Sequence, residues 1–472
     1  MAISAELIDE LRASLKGGSE VFLPGEEGYQ SGVKRWSEYS EKAAGAVVAA
    51  NSTPDISATV VFSATNSIEL AIVGGGHSTG GSSSTDGGIV LDLSLLRGVT
   101  VDPTAKTIAV QGGALWADVD AAASEHGLAT VAGTVNHTGV GGLTLGGGWG
   151  WLTPRHGNVV DNLLSVTMVL ADGSVVQASE TENPNLFWAI RGAGSNFGVA
   201  VEFVYRAHEQ RQDVWAGLMV FPTEKLSAVV EFANSVTGVE DAAMSFGFSA
   251  PPPLNSPAVL AAVFYNGPEE KATEIFAPLI AHNPLMNSAG SIPYKTLNGM
   301  LNSAVTHGDR KTAKGSSFTM PVSPEFAQSV LDHFSAFVSR VPDTNQTLIL
   351  FECIDPTKLF TVAQSATAFA NRGKYMNSVV VPRWISPEYD YECREYAREF
   401  DRLFRAERER KEGAVTHKSG VGQYSNYSET FASAKEIYGE NYERLVELKM
   451  KFDPGNVFSK WHPIVPQIKV QN

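Results

Sequence analysis

The sequence predicts an α+β protein with two domains, the first of which is built from both ends of the chain. Its 472 residues are enough for two or three domains, and a hydrophobic fraction of 43% is enough to fill their cores. Short β-rich runs alternate with glycines from Gly45 to about Tyr205, apolar strands then alternate with helical stretches, and the last segment returns to aromatic and glycine motifs. We therefore expect a first domain over residues 1–205 that is completed by residues 414–472, and a second domain over residues 206–413.

The composition excludes several classes of protein. A formal net charge of -15 disfavours a nucleic-acid partner, because such binding depends on clustered Lys and Arg. Two cysteines, Cys353 and Cys393, cannot build a disulfide framework and indicate a reduced compartment. Charged residues interrupt the opening segment, so no signal peptide is visible, and no run of about 18 apolar residues predicts a membrane span. We expect a cytoplasmic protein that binds neither nucleic acid nor membrane.

The first domain shows a helix and two hairpins in chain order. Leucines recur every fourth residue over residues 7–15, which predicts a short amphipathic helix ended by a glycine pair. Val99–Gly113 and Thr167–Ser179 each hold two β-prone arms around a turn, so both predict antiparallel hairpins. The second hairpin has Asp172-Gly173 at its turn, a pair that favours the positive backbone angles of a tight turn.

The second domain and the C-terminal segment alternate strand and helix signals. The apolar runs LMVF, LAAVFY and TLILFE predict strands. Helices are expected to begin near Pro222, Glu269, Pro324 and Pro387. Near the C-terminus, YERLVELKMKF predicts a helix that is ended by the sequence DPG.

A glycine loop, GGGHSTGG from Gly74 to Gly81, follows the apolar run IELAIV directly. Glycines allow backbone angles forbidden to other residues and can turn several N–H groups inward, which forms a nest for a phosphate. The loop lacks the Gly-Lys-Ser/Thr ending of nucleoside-triphosphatases and opens no helix of the dinucleotide-fold type. On its glycines alone, a tight structural turn explains the loop equally well.

Two further blocks are dense in glycine. Val135–Gly157 reads VNHTGVGGLTLGGGWGWLTPRHG, and such a cluster usually marks backbone pressed against a ligand or another segment. A large flat ligand would explain it, and a glycine-rich structural loop is the alternative. In Leu186–Tyr205 a glycine turn joins a helical start to a β-branched strand, which is the reverse of the order in a dinucleotide fingerprint.

These three blocks, in this order and spacing, resemble the vanillyl-alcohol-oxidase and p-cresol-methylhydroxylase superfamily of FAD enzymes, in its berberine-bridge-enzyme-like branch. The resemblance extends to YSNYSE at Tyr424–Glu429 and to the run Tyr438–Phe458, whereas the middle of the chain matches weakly, through Ala366–Arg372 and Trp384. It implies a two-domain α+β FAD-binding fold of the p-cresol methylhydroxylase type, with a substrate domain built on an antiparallel sheet flanked by helices. It also implies an FAD-linked oxidoreductase, more specifically an oxidase that takes a hydride from a small organic substrate and reduces oxygen to hydrogen peroxide.

The resemblance implies that FAD is bonded through its 8α-methyl group to His77. Val135 stands where doubly linked members have Cys, so a single attachment is expected, and Thr138 lies where the family lines the approach of oxygen. The full set of expected cofactor contacts is Gly74, Gly75, Gly76, His77, Ser78, Thr79, Gly80, Val135, Thr138, Gly139, Gly141, Gly142, Gly147, Trp149, Gly150, Val199 and Asn426.

The catalytic base is the point at which this sequence departs from the family. Many members place Glu, Gln or Asp where Val379 stands here. Tyr424 is therefore the first candidate, because a phenol beside a flavin can be pushed towards phenolate, although a hydrogen-bonded core tyrosine explains it equally well. Glu352 and Asn377, on expected strands of the second domain, are secondary candidates whose alternative is a structural role.

The expected pocket is apolar. Trp149 and Trp151 would offer broad walls, which suits an aromatic or terpenoid-like secondary metabolite better than a sugar. His137 and His156 flank the glycine string and could touch flavin or substrate, and the spacing of the histidines predicts no metal. Three alternatives stay open: a dehydrogenase with another electron acceptor, a flavin scaffold acting as cyclase, isomerase or binding protein, and a reductase with noncovalent flavin.

Overall fold

The computed structural model describes residues 3–412, 422–428 and 432–466. The predicted boundary between residues 413 and 414 and the motif residue Glu429 lie outside the described residues. None of the helices within the described ranges has both the length and the apolar character needed to cross a membrane. Cys353 and Cys393 are buried free thiols.

The strands are numbered in chain order. They are β1 (Glu20–Phe22), β2 (Ala46–Ala49), β3 (Leu70–Val73), β4 (Ile89–Asp92), β5 (Val99–Asp102), β6 (Thr107–Gln111), β7 (Leu128–Ala129), β8 (Leu163–Val169), β9 (Val175–Ser179), β10 (Val199–Arg206), β11 (His208–Glu209), β12 (Asp213–Phe221), β13 (Ala242–Ser249), β14 (Ala258–Tyr265), β15 (Met286–Asn287), β16 (Gly290–Pro293), β17 (Arg310–Lys311), β18 (Lys314–Phe318), β19 (Leu348–Cys353), β20 (Met376–Val381) and β21 (Arg383–Trp384).

The α-helices are numbered in the same way. They are α1 (Ala5–Ser14), α2 (Tyr29–Val33), α3 (Thr53–Thr65), α4 (Trp116–Ser124), α5 (Val140–Leu145), α6 (Thr153–His156), α7 (Pro184–Ala193), α8 (Leu226–Val236), α9 (Glu269–Ile280), α10 (Tyr294–Leu297), α11 (Pro324–Arg340), α12 (Thr357–Phe360), α13 (Asp390–Glu412), α14 (Ala434–Tyr438) and α15 (Tyr442–Phe452).

Two sheets form from the N-terminal part of the chain. The first is four-stranded in the order β1-β2-β4-β3, with parallel pairing of β2, β4 and β3. The second is five-stranded and antiparallel, in the order β5-β6-β10-β8-β9. One hydrophobic core joins them, because Val169 and Val199 of the second sheet pack in the same cluster as Val48 and Leu91 of the first.

The expected hairpins of the second sheet are confirmed. β8 pairs with β9 across a turn in which Gly173 has a φ of 81°, an angle that favours glycine. β5 pairs with β6 in the other predicted hairpin. The glycine loop at Gly74 follows β3 directly, as the sequence predicts, so the strand delivers the loop to the edge of the first sheet.

The middle of the chain forms a large sheet, which runs β15-β12-β14-β13-β19-β20-β18 with β16 also paired to β12. Its strands pair antiparallel, and helices α8, α9, α11 and α13 cover one face. Phe351 and Val380 face those helices. Because side chains alternate along a strand, their neighbours Leu350 and Val379 face the opposite way, towards the N-terminal part of the molecule.

The C-terminal helix packs back onto the N-terminal part. α15 contacts α7, and Leu445 and Tyr438 lie in the same core cluster as Phe187 and Phe197. The helix ends at Phe452, immediately before the predicted DPG stop.

Candidate active site

A cavity of about 310 Å³ lies between the glycine loops and the uncovered face of the large sheet. The loop after β3 and the segment that leads into α5 form one side. The strands β19 and β20 and the segment Tyr424–Ser428 form the other. The start of β10 and the segment 458–461 close one end, so all three parts of the chain contribute to a single site.

Most of the expected cofactor contacts line this cavity. They are Gly74, Gly75, Gly76, His77, Ser78, Thr79, Val135, Thr138, Gly139, Gly141, Gly142, Trp149, Val199 and Asn426. Three other glycines of that set do not line it. Gly147 has a φ of 119° and packs on Phe369, and Gly150 packs so tightly on Ala132 that a Cβ would lie 1.8 Å from the carbonyl oxygen of that residue. Gly80 also does not line the cavity.

The two glycine loops meet backbone to backbone. A Cβ at Gly75 would lie 2.2 Å from the amide nitrogen of Gly139, and a Cβ at Gly139 would lie 2.4 Å from that of Gly75. Neither position therefore tolerates a side chain. A Cβ at Gly142 would instead meet nothing within 4 Å, since this residue faces the open cavity. Bare backbone next to open space is the cradle that a large flat dinucleotide such as FAD requires, so the residues present fit that cofactor.

His77 lies at the centre of an aromatic cluster on the cavity wall. The ring of Trp36 stacks on the imidazole at a centroid distance of 5.1 Å and an interplanar angle of 7°. His77 Nε2 lies 2.7 Å from His137 Nδ1, and His307 packs edge-on at 5.7 Å. Burial, together with its histidine neighbours, lowers the pKa of His77 well below its usual value, so the imidazole is neutral.

The spacing of the histidines gives no sign of this cluster. Sequence spacing predicts no metal site, yet one nitrogen from each of His77, His137 and His307 lies within 4.8 Å of the others. The three residues are brought together only by the packing of three separate loops. Of the three, the sequence pattern indicated a place near the cofactor and substrate for His77 and His137 but not for His307. His137 was indicated because it stands next to the glycine string. His156, the other histidine that flanks that string, instead stacks on His208 at 3.6 Å.

A buried carboxylate lies behind the cavity wall. Glu352 on β19 accepts a hydrogen bond of 3.0 Å from the hydroxyl of Tyr427, which lines the cavity. Burial raises the pKa of Glu352 to about 7, while hydrogen bonds from Tyr427 and Asn377 oppose the rise. Glu352 and Asn377 themselves do not line the cavity, so Tyr427 stands between them and any bound molecule. Tyr427 was absent from the predicted set, although the motif YSNYSE contains it.

Tyr424 lines the cavity, and its surroundings in the protein favour the neutral phenol. Its hydroxyl oxygen accepts a hydrogen bond of 2.9 Å from Asn426 Nδ2. Burial raises the pKa of Tyr424 above its usual value, and the nearby Glu352 raises it further. Because that neighbour is an acidic group, these surroundings favour the neutral phenol over the phenolate, and the role of Tyr424 as the base stays a prediction.

The remaining walls are mostly apolar. Trp149 lines the cavity as expected, whereas Trp151 packs on Phe264 at 5.8 Å and does not reach it. The large sheet contributes a row of aliphatic side chains and the loop before β17 contributes two more. These residues are Leu301, Val305, Leu348, Leu350, Val379 and Val381.

Comparison with known proteins identifies the class. Residues 44–179 match the model described as an FAD binding domain, and residues 423–464 match the one described as berberine and berberine like. The FAD-linked oxidoreductase pgmH of Aspergillus terreus is 36% identical over 98% of this chain and 97% of its own. The (R)-6-hydroxynicotine oxidase of Paenarthrobacter nicotinovorans is 29% identical over 97% of this chain and 99% of its own.

The solved structures agree with this result. The crystal structure of 6-hydroxy-D-nicotine oxidase from Arthrobacter nicotinovorans superposes with a TM-score of 0.83 at 26% identity, and covers 96% of this chain and 99% of that one. Fold and cavity thus define an FAD-dependent oxidoreductase. Within that class, the chain belongs to the berberine-bridge-enzyme-like FAD-linked oxidoreductases of the vanillyl-alcohol-oxidase and p-cresol-methylhydroxylase superfamily.

Proposed function

We propose that this protein is an oxidase that takes a hydride from a small, largely apolar organic substrate, such as an aromatic secondary metabolite, and reduces dioxygen to hydrogen peroxide. One observation carries the proposal: the strands β19 and β20 contribute only aliphatic side chains to the cavity wall, and the hydroxyl of Tyr427 on the same side of the cavity connects that wall to the buried Glu352. A substrate that fits such a wall is apolar, with one hydroxyl or amine to meet the Tyr427 hydroxyl. Two of the similar proteins are named as oxidases of hydroxynicotine, which is a small aromatic molecule.

We propose that FAD is attached covalently to His77 and nowhere else. His77 lines the cavity beside the glycine loops, and its neutral imidazole can act as a nucleophile. Val135 also lines the cavity, and its aliphatic side chain cannot form a second bond to the cofactor. When bound, FAD supplies the hydride acceptor for substrate oxidation.

The protein's own part in the reaction is to take up a proton. We propose that Tyr427 accepts the proton of the substrate hydroxyl or amine while it gives its own proton to Glu352 Oε1. The pKa of about 7 suits this carboxylate to the task, since a base is most effective when its pKa lies near the working pH. Val379, which replaces the family's usual polar residue, then serves only as an apolar wall.

Oxygen access supports an oxidase over a dehydrogenase in this proposal. Thr138 is small and lines the cavity next to Gly139, so it leaves room for dioxygen near the cofactor cradle. The choice is tested by reducing the purified protein anaerobically and mixing it with air-saturated buffer. Rapid return of the flavin absorbance with formation of hydrogen peroxide is expected. Slow reoxidation would assign the protein to the dehydrogenases instead.

The whole proposal is tested on the intact and the denatured protein. The mass of the denatured chain is expected to exceed its amino-acid sum by one FAD, and His77→Ala should remove this excess. A panel of aromatic alcohols and amines is then screened for anaerobic bleaching of the flavin. If compounds of the panel bind to the protein but none of them bleaches the flavin, the proposed oxidation of the substrate is contradicted. A non-redox role for the flavin scaffold would then follow.

Replacing Glu352 tests the proton acceptor. Glu352→Gln keeps the size and the hydrogen bond to Tyr427 but removes the base, so the rate of flavin reduction should fall by roughly 100-fold. Stopped-flow absorbance under anaerobic conditions measures this rate. Glu202→Gln, on the exposed side of β10, is the matched control and should reduce at the parental rate. An unchanged rate in Glu352→Gln, with normal flavin content, would reject the assignment.

A further inference from the structure

The cluster of His77, His137 and His307 goes beyond what the proposed chemistry of substrate oxidation requires. These three residues come from the loop after β3, the segment before α5 and the loop before β17. The centroid of His137 lies 4.8 Å from that of His77 and 4.7 Å from that of His307. Only His77 is proposed to bond the cofactor, so the two other imidazoles need a separate explanation.

The closest distance in the cluster indicates a hydrogen bond. His77 Nε2 and His137 Nδ1 are 2.7 Å apart, within the range of a normal hydrogen bond. Two imidazole nitrogens on a tetrahedral zinc ion, each about 2.0–2.1 Å from the metal, would instead be separated by about 3.3 Å. The arrangement therefore favours proton sharing between the two rings over shared coordination of a metal ion.

The plane of the His77 ring is held from one side. Trp36 stacks on it almost in parallel, and Trp36 Nε1 donates a hydrogen bond of 2.7 Å to the carbonyl oxygen of Val305. The indole ring is thus tied to the segment that leads to His307. A fixed ring plane means that the two nitrogens of His77 keep distinct surroundings, Nε2 towards His137 and Nδ1 away from it.

The protonation of both rings follows from their environment. Burial is the main cause that lowers the pKa of His77, and it lowers that of His137 to about 4, so both rings are neutral near pH 7. A neutral imidazole carries one proton, and only one of the two facing nitrogens can donate. Nδ1 of His137 is the nitrogen that faces His77, so it can accept a proton from His77 when the proton of His137 lies on Nε2.

We propose that His137 is a positioning residue for the covalent attachment of FAD. Its Nδ1 accepts the Nε2–H of His77, which leaves the Nδ1 of His77 unprotonated and nucleophilic. The inference rests on the proposed linkage through His77. His307, which is exposed, packs against the ring of His137.

The covalent attachment of FAD to His77 is an oxidation, and its atoms and electrons balance when dioxygen is the oxidant. A bond forms between His77 Nδ1 and the 8α carbon of FAD, and one C–H bond of that methyl group breaks. His77 passes its Nε2 proton to His137, so the alkylated ring stays neutral. Two protons and two electrons are released in total, and one molecule of dioxygen takes them up as hydrogen peroxide.

The experiment follows the attachment itself and not the activity. Flavin-free protein from a riboflavin-limited host is mixed with FAD in air, and the mass of the denatured chain is recorded over time. His137→Leu should slow the gain of one FAD by roughly 100-fold, while the native protein still binds FAD noncovalently. His137→Asn, whose side-chain oxygen can accept the same hydrogen bond, should restore most of the rate. His156→Leu, which replaces a partly buried histidine that stacks on His208, is the control and should keep the parental rate.

Each result decides the question. Attachment at the parental rate in His137→Leu overturns the role of His137 and leaves the linkage through His77 intact. A parental chain whose denatured mass equals its amino-acid sum overturns the linkage and the role of His137 together. If the Leu variant does not fold, His137→Gln, which moves the acceptor oxygen one bond further away, replaces it in the comparison with His137→Asn.

Discussion

At the scale of single residues, the active site combines one neutral imidazole with one buried carboxylate. In the proposed mechanism His77 and Glu352 have opposite tasks, since the first is to form a bond and the second is to take up a proton. Burial serves both tasks in the same way: it lowers the pKa of the imidazole and raises that of the carboxyl group. Burial in the interior of the protein therefore prepares both residues for these proposed tasks.

The raised pKa of Glu352 predicts the pH dependence of flavin reduction. Below pH 7 the carboxyl group is protonated and cannot take up a proton, and above pH 7 it is ionised and can. The anaerobic reduction rate should therefore rise as pH increases through about 7. Glu352→Gln should show a low rate without this step. A parental rate that falls as pH increases through this range would mean that an acid, and not a base, limits the reaction.

The two tyrosines of the motif YSNYSE can be distinguished by removing one hydroxyl at a time. Tyr427→Phe breaks the connection to Glu352, so the reduction rate should fall by roughly 100-fold. Tyr424→Phe loses only the hydrogen bond from Asn426, so the rate should change far less. Stopped-flow reduction of the two variants gives the comparison. The opposite ranking would restore Tyr424 as the base and contradict the assignment of Glu352.

At the scale of secondary structure, a buried ion pair fixes the end of α15. Lys449 Nζ donates to Asp453 Oδ2 at 2.6 Å and to the carbonyl oxygens of Asn196 and Phe458, and both charged side chains are fully buried. Asp453 in turn accepts the backbone N–H groups of Val457 and Phe458. The pair thus holds the segment that follows α15, which reaches the cavity at Phe458.

Breaking this pair should destabilise the whole fold. Lys449→Ala leaves the Asp453 carboxylate buried without its partner, which costs about 3–5 kcal/mol of unfolding free energy. Denaturant unfolding followed by circular dichroism measures the change. Lys451→Ala, which removes an exposed lysine two residues further along the same helix, should cost less than about 0.5 kcal/mol. Similar stability of the two variants would contradict this view of the C-terminal segment.

The secondary structure was largely predictable, and the contacts of the site were not. The hairpin at Asp172-Gly173 and the strand TLILFE depend on local sequence, and both form as expected. Within this strand, the alternation of side chains sets Glu352 on the same face as Leu350. The bond from Tyr427 to Glu352 and the contact of His77 with His307 depend on how distant segments pack, for which local patterns carry no information. The position of Glu352 near Tyr424 could not be predicted for the same reason, because Glu352 belongs to a strand distant in the sequence.

At the scale of the whole molecule, the segment around α10 is held against the N-terminal part by buried polar contacts. Asn298 Nδ2 donates to both carboxylate oxygens of Asp120 on α4, at 3.1 and 3.0 Å. Further along, Asn302 donates to the side-chain oxygen of Asn136 at 2.7 Å. These contacts position the stretch that carries Val305 and the nearby His307 over the His77 cluster. The same chain segment therefore contacts the N-terminal part of the molecule and the proposed attachment site of the cofactor.

Asp120 should make the stability of this junction depend on pH. Burial raises the pKa of Asp120 from 3.8 to about 7 in the folded protein. Between these two pH values the carboxyl group is ionised in the unfolded chain and protonated in the folded one, so the unfolded chain becomes more favourable as pH increases. Its contribution to stability is fully present below pH 3.8 and is lost as pH increases towards 7, by about 4 kcal/mol at most. We expect the melting temperature of the parental chain to fall over this interval relative to that of Asp120→Asn, which carries no ionisable group there. Glu125→Gln, an exposed change just beyond the same helix, should follow the parental curve. Parallel curves for the parent and Asp120→Asn would show that the carboxyl group is solvated in solution, and that the junction opens to water.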